Sequence, residues 1–158
     1  MMSNASPKET STAEIVAIDG SRKKVLSRVD LCWRIAHGGR SHVFAILGLK
    51  RPGSIKTENW APMLQQGQAG ESARVISQQL SKYGFTHHTN KVAVCDLNTL
   101  VLLELEGSRD NWRGQIRNAT QVGPSFRWIT DKNEMKRNLY LFLYEAATTA
   151  LRSTISGN

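Results

Sequence analysis

The sequence predicts an α/β fold in which a mixed central sheet is covered by helices. Several apolar runs alternate or continue over strand length, and two segments carry apolar residues at helical spacing. With 158 residues and no internal repeat, the chain is long enough to bury one hydrophobic core without disulfides or bound metal. We therefore expect one domain over residues 13–158, preceded by a mobile polar tail over residues 1–12.

The first two predicted strands form a hairpin at the centre of the sheet. Residues 29–35 alternate between apolar and polar side chains, which is typical of a strand with one buried face. Residues 37–40 supply turn residues, and residues 42–50 are almost continuously apolar, as in a strand covered on both faces. Arg51-Pro52-Gly53 ends the second strand, because proline cannot donate to the ladder and glycine opens a turn.

A helix is predicted over residues 71–83, and we expect it to pack against one face of the sheet. Ile76, Leu80 and Tyr83 recur at helical spacing. Gly84 stands where a residue in the left-handed conformation would end such a helix.

The second half of the chain predicts a second hairpin, one more strand and a closing helix. Residues 91–96 and 100–105 are strand-like and only three residues apart, and residues 125–129 predict a further strand. Asp131 and Glu134 have the spacing of a capping box at the start of the helix. The apolar stripe of this helix consists of Met135, Leu139, Phe142 and Ala146.

The charge of the chain favours a polyanionic partner. Its 21 Lys and Arg against 13 Asp and Glu give a formal net charge of +8, and nucleic acid is the leading partner class because basic side chains release counterions from phosphates. The residues expected to contact nucleic acid are Arg22, Lys23, Lys24, Lys50 and Arg51. Residues 109–117, with three arginines around Trp112, are interpreted either as a basic, aromatic nucleic-acid surface or as a flexible basic loop.

The two cysteines and the apolar runs bear on the cellular compartment. Cys32 and Cys95 lie inside apolar runs, as buried thiols do, and the four histidines do not form a zinc set with them. No apolar run approaches a membrane span, and the first residues do not resemble a secretory signal. We expect an intracellular protein, cytoplasmic or nuclear, that does not contact a membrane.

One group of residues in three successive elements predicts a common site. Asp30 lies on the first strand, Gly48 and Lys50 on the second, and Gln79 and Tyr83 on the following helix. Residues 48 and 50 point to the same face at strand spacing, and a hairpin brings Asp30 beside them. Gln79 and Tyr83 lie one turn apart on one helix face and could cover the same cleft.

This ordered group resembles the PD-(D/E)xK superfamily of restriction-endonuclease-like proteins, and within it the RecB-like branch with a Q-x-x-x-Y helix motif. It is most similar to predicted nuclease-like domains of fungal proteins, which share an E-x-K-R-P-G strand end, the Q-x-x-x-Y helix and a following strand pair. The matching segments here are Gly48-Leu49-Lys50-Arg51-Pro52-Gly53, Gln79-Leu80-Ser81-Lys82-Tyr83 and residues 91–100. The resemblance covers about residues 14–106 and implies a restriction-endonuclease-like mixed sheet.

The resemblance also implies a chemistry and the residues that would carry it. In such nucleases an aspartate and a glutamate hold Mg²⁺, and the lysine orients or activates the attacking water. Asp30 and Lys50 occupy the aspartate and lysine positions, Gln79 and Tyr83 form the helix motif, and Glu14 would be an acidic residue on a preceding helix.

The chain departs from the family pattern at Gly48, where Glu or Asp is expected. Glycine offers no metal ligand, so the leading hypothesis is a degenerate nuclease-like domain that binds nucleic acid or phosphate backbone without catalysis. The first alternative is an active Mg²⁺-dependent nuclease in which Glu58 or Glu71 replaces the missing carboxylate. The second alternative is a scaffold that binds another protein, since fold does not determine function.

Overall fold

The described part of the chain, in this computed structural model, consists of two β-sheets and two long α-helices. The structure describes residues 6–7, 10–16, 22–28, 30–59, 71–105 and 125–156, with side chains at 30–59, 73–105 and 127–154. The strands are β1 (Ser6–Pro7), β2 (Thr10–Val16), β3 (Arg22–Arg28), β4 (Leu31–His37), β5 (Arg40–Leu49), β6 (Lys91–Cys95), β7 (Leu100–Glu104) and β8 (Ser125–Ile129). The helices are α1 (Glu71–His87) and α2 (Lys132–Ser156).

The larger sheet is mixed, with the strand order β1-β4-β5-β6-β7-β8. β5 and β6 are parallel and α1 connects them, whereas every other neighbouring pair is antiparallel. β2 and β3 form a separate antiparallel hairpin that contacts α1. The prediction of a mixed sheet flanked by helices is confirmed, and its assignment to the restriction-endonuclease-like fold stays a prediction.

The predicted central hairpin is present as β4 and β5. Gly38 and Gly39 form its turn with φ angles of 58° and 75°, in the left-handed region that glycine adopts without steric cost. The five residues 44–48 of β5 are all buried. Their continuous apolar run is explained by coverage on both faces of the sheet.

The two faces of the sheet carry separate core clusters, one under each helix. The cluster under α1 consists of Cys32, Ile46, Ile55, Ala73, Ile76, Leu80, Tyr83, Val92, Val94, Val101, Leu103 and Leu105. The cluster under α2 consists of Ile35, Phe44, Ala45, Leu47, Ala93, Leu100, Leu102, Phe142, Ala146 and Ala147. Because successive strand residues point to opposite faces, the same strands contribute to both clusters.

Gly84 does not end α1, so the prediction that it caps the helix is wrong. A Cβ atom at residue 84 would lie 2.5 Å from Leu105 Cδ1 and 2.7 Å from the carbonyl oxygen of Thr89, which is too close for any other residue type without a shift. The left-handed position is instead His88, with a φ of 58°. The Thr89 amide donates to the Gly84 carbonyl at 3.0 Å, the hydrogen bond of a Schellman cap.

The second hairpin, the last strand and the final helix follow the prediction. β6 pairs with β7, and β7 with β8. Asp131 caps α2, because its Oδ1 accepts from the Asn133 amide at 2.9 Å. Phe142 and Ala146 are buried on the sheet, and Met135 and Leu139 pack beside them.

The N-terminal part differs from the prediction in two respects. Residues 6–7 and 10–12, expected in a mobile tail, lie in β1 and β2. Glu14, expected on a helix by resemblance, lies in β2 opposite Lys24 of β3. Thr10, Thr12, Ile15 and Val16 suit a strand better than a helix, since β-branched side chains fit the pleated surface. None of the described helices is long and apolar enough to cross a membrane.

Candidate functional site

The candidate site lies where the parallel strands β5 and β6 end. The Lys50 amide donates to the Cys95 carbonyl at 2.8 Å, which holds the two strand ends together. Carboxyl ends of parallel strands are a common place for ligand sites, because loops of both strands meet there. The sequence-predicted residues Asp30, Gly48, Lys50, Gln79 and Tyr83 are grouped around this edge.

Asp30 is tied to the strand end through the backbone. Its Oδ2 accepts a hydrogen bond from the Leu49 amide at 2.7 Å. The residue is half-buried at the start of β4, beside the end of β5. One carboxylate oxygen of Asp30 therefore fixes the hairpin at Leu49. This residue lies between the two predicted site residues of β5 and its end, Gly48 and Lys50.

Lys50, Gln79 and Tyr83 form one continuous chain of hydrogen bonds. The Lys50 ammonium donates to Gln79 Oε1 at 2.5 Å, and Gln79 Nε2 donates to the Tyr83 hydroxyl at 2.7 Å. The Q-x-x-x-Y spacing places the two helix residues one turn apart, as predicted. The amide thus orients the ammonium, and no described residue accepts from its other two N–H groups.

Tyr83 stays protonated at neutral pH. Burial raises the pKa of its phenol, and the negative charge of Asp30 raises it further, while the hydrogen bond from Gln79 opposes both. The Tyr83 hydroxyl can accordingly donate a proton in a hydrogen bond but does not serve as a base.

Gly48 lies directly beneath the ring of Tyr83. A Cβ atom at this position would lie 3.8 Å from Tyr83 Cε2 and 3.9 Å from Val94 Cγ2, which are ordinary van der Waals distances. The residue is buried on the α1 side of the sheet, the side that Lys50 also faces. A side chain at residue 48 would therefore contact the Tyr83 ring rather than enter open space.

The described side chains do not make a complete ligand set for a divalent cation. Mg²⁺ is held by one or two carboxylates plus waters and substrate oxygens. Within the described side chains, no three His, Cys, Asp or Glu residues form a group that could hold a metal ion. Of the other acidic candidates, Glu58 is exposed in the helical residues 57–59, and the side chains of Glu14 and Glu71 lie outside the description.

The basic residues predicted to contact nucleic acid fall on two elements. Arg51 is exposed immediately after Lys50. Arg22, Lys23 and Lys24 begin β3, whose hairpin contacts α1, and their side chains are outside the description. The basic segment 109–117 also lies outside the described residues.

Asp96 is an organising residue that the sequence interpretation did not single out. Its side chain is fully buried at the end of β6, with a relative exposure of 0%. Oδ1 accepts from the amides of Asn98 and Thr99 at 3.1 and 2.8 Å, and Oδ2 accepts from the Ile55 amide at 2.9 Å. The D-x-N-T pattern is that of an Asx turn, which explains the first two bonds, whereas the bond to Ile55 depends on the fold.

A separate cavity of about 260 Å³ lies at the other end of β5 and β6, under the last turns of α2. Lys91 lines it, but its ammonium is paired with Glu104 at 2.6 Å. The cavity contains none of the residues of the predicted site. The chemistry suggested by the sequence therefore does not coincide with it.

Comparisons with known proteins give no family assignment for this chain. No family model, no curated protein and no solved structure matches it. The geometry of the site and the charge of the chain are what bear on its function.

Proposed function

We propose that this protein is a degenerate nuclease-like domain that binds the phosphate backbone of nucleic acid without cleaving it. The observation that carries the proposal is the Lys50 ammonium, which Gln79 orients on the face of Gly48 and beside the exposed Arg51. Lys50 and Arg51 place two cations at this edge. Of the two described carboxylates there, Asp96 is fully buried and bonded to backbone amides, so the accessible one is Asp30, and a phosphate is favoured over a cation. The PD-(D/E)xK resemblance is part of this proposal.

The absence of catalysis follows from the ligand set. Without a side chain at Gly48, Asp30 is the one carboxylate among the described side chains at the predicted metal position, and one of its oxygens is already bonded to the Leu49 amide. A strongly hydrated Mg²⁺ ion gains little from one remaining oxygen. Without the ion, neither the attacking water nor the developing charge on the phosphate is stabilised.

The test is salt-dependent binding of a short fluorescent duplex, in DNA and RNA versions, measured by anisotropy. Each phosphate contact contributes about −0.9 to the slope of log K against log salt. Lys50→Gln should therefore make that slope shallower, by about 0.9 in magnitude. Lys136→Gln removes the same charge from the exposed face of α2 and serves as the matched control. Removal of the Arg22, Lys23 and Lys24 charges should also weaken binding.

Binding that does not depend on salt, or no binding at low ionic strength, would contradict the proposal. It would favour the protein-interaction alternative, which one observation supports: α2 exposes Tyr140, Leu141, Tyr144 and Leu151 on the side away from the sheet.

The alternative of an active nuclease is tested on the same substrates with Mg²⁺ or Mn²⁺. Cleavage that disappears in Asp30→Ala and in Glu58→Gln would identify Glu58 as the replacement carboxylate. A parallel Glu71→Gln variant tests the second candidate. Cleavage by the wild-type chain that survives all three substitutions would point to a contaminating nuclease.

A further inference from the structure

The loop that follows Lys50 has a defined backbone with two anchors. Arg51, Pro52, Gly53 and Ser54 form a β-turn, since the Ser54 amide donates to the Arg51 carbonyl at 3.1 Å and Gly53 has a φ of 78°. Proline followed by a left-handed glycine is the pattern of a type II turn. The Lys50 amide, bonded to Cys95, holds the start of the turn.

Asp96 holds the other end of the loop. Its Oδ2 accepts from the Ile55 amide at 2.9 Å, and the Ile55 side chain is buried in the cluster under α1. Since the carboxylate is also bonded to its own turn, it joins the loop after β5 to the β6–β7 hairpin. The segment between these anchors therefore has little conformational freedom to lose when it binds a partner.

The anchored segment presents cations to solvent. Arg51 and Lys56 are exposed on either side of the buried Ile55. Glu58, also exposed, carries the opposite charge two residues beyond Lys56. The segment thus exposes two cations next to Lys50, and one exposed carboxylate, that of Glu58, follows it in the chain.

We infer that residues 51–56 form a pre-ordered arm of the phosphate-backbone site, in which Arg51 and Lys56 contact phosphates and Asp96 is the positioning residue. This inference rests on the proposed function and adds Lys56 and Asp96 to it. Asp96 itself does not touch the nucleic acid. It acts by fixing the turn that carries the two cations.

The first experiment distinguishes phosphate contacts of Arg51 and Lys56 from a general effect of the net charge. The double variant R51A/K56A is compared with K136A/R152A, which removes one lysine and one arginine from exposed positions on α2. On the labelled duplexes, R51A/K56A should lower the salt slope by about 1.8, whereas K136A/R152A should leave it close to that of the wild type. Glu58→Gln should raise affinity, because it removes the opposing charge.

The second experiment tests the anchor. Asp96→Asn can keep the bonds to Asn98 and Thr99, but its amide nitrogen cannot accept from Ile55. Hydrogen exchange at the Ile55 amide should accelerate, and affinity should fall several-fold while the salt slope stays unchanged, since both cations remain. Gly53→Ala, which strains the turn at an exposed residue, should have the same effect if Asp96→Asn does not fold.

The outcomes distinguish a failure of the proposed function from a failure of the arm. No salt-dependent binding by the wild-type chain would overturn the proposed function and the arm together. Binding that depends on Lys50 but is equally affected by R51A/K56A and K136A/R152A would overturn the arm alone. Faster exchange at Ile55 with unchanged affinity would overturn the role of Asp96.

Discussion

Gly48 lies beneath the ring of Tyr83 and has no side chain that could interact with Asp30 or Lys50. Asp30 bonds to the backbone, Lys50 bonds to Gln79, and Gly48 between them offers no side chain. In the proposed function, the lysine binds an external anion rather than a metal-bound water. Restoring the carboxylate tests this interpretation directly.

Gly48→Glu should bind Mn²⁺ or Mg²⁺ more tightly than the wild-type chain does. A Cβ atom fits at ordinary contact distance, but the rest of the side chain must pass the Tyr83 ring, at a cost of about 1–3 kcal/mol in stability. Titration calorimetry with Mn²⁺ measures the gain. Gly48→Gln is the control of equal size, and equally weak binding by the two variants would contradict a metal position next to Asp30.

His87 makes stability depend on pH. It is 5% exposed and its Nε2 has no hydrogen-bond partner among the described atoms. Burial lowers the pKa of the imidazole from 6.5 to about 4, with further lowering by the positive charges of Arg34 and His88. Between these two values the unfolded chain binds more protons than the folded one. The contribution of His87 to the free energy of unfolding is therefore fully present above pH 6.5 and is lost as the pH falls towards 4.

We expect the free energy of unfolding to fall by up to about 3 kcal/mol between pH 6.5 and 4 because of His87. Urea titrations across this range measure the decline. His87→Gln cannot take up the proton and should flatten it, even if the variant is less stable throughout. His37→Gln, at an exposed position, is the matched control, and equal flattening by both variants would exclude His87 as the cause.

At the level of elements, two residues determine the position and the end of α1. Gly84 allows its close packing, and His88 ends it. Gly84 allows the helix backbone to approach Leu105 and the Thr89 carbonyl, and His88 takes the left-handed position. Helix propensity alone favours Ala over Gly by about 1 kcal/mol. For a change from Gly to Ala at residue 84, helix propensity therefore favours the helix, whereas the close contacts oppose it. The size of the steric cost decides the net change in stability.

Gly84→Ala should destabilise the protein by about 1–3 kcal/mol despite its better helix propensity, because the Thr89 carbonyl is backbone and cannot simply rotate away. Thermal and urea unfolding give the value. Lys82→Ala, at an exposed position of the same helix, should change stability by less than about 0.5 kcal/mol. An increase in stability for Gly84→Ala would show that α1 lies farther from the sheet.

At the level of the whole molecule, one sheet serves two cores. Adjacent residues of β5 and β6 point alternately under α1 and α2, so neither helix can detach without exposing the face that it covers. Cys32 lies in the cluster under α1, is 1% exposed, and has its thiol pKa raised to about 11 by burial. A thiol in this state reacts only after the structure opens.

Cys32 should therefore be alkylated only as fast as the molecule unfolds globally. In a Cys95→Ser background, the free energy of opening obtained from labelling rates should equal that from urea unfolding. Cys95 is half-buried, so the free energy of opening obtained from its labelling in the Cys32→Ser background should be lower than that of Cys32. Labelling of Cys32 with a much smaller free energy than global unfolding would show that β4 opens independently of the sheet.

The strands β4 to β8, both helices and the grouping of Asp30, Lys50, Gln79 and Tyr83 could be predicted from the sequence, because they depend on periodicity and on residues close in the chain. The strands β1, β2 and β3 were not predicted. The period of two, the period of 3.6 and the turn residues report on local backbone preferences. The hairpin β4–β5 then brings Asp30 to the end of β5 through a two-glycine turn.

Only the tertiary structure decided the roles of Gly84 and Asp96 and the strand conformation around Glu14. Gly84 looks like a cap in the sequence, and the reason that it is not one is the proximity of Leu105, twenty-one residues away. Asp96 looks like a turn residue, and its bond to Ile55 spans forty-one residues. Contacts between segments distant in the chain leave no local period in a sequence, because they arise from how the sheet and helices pack.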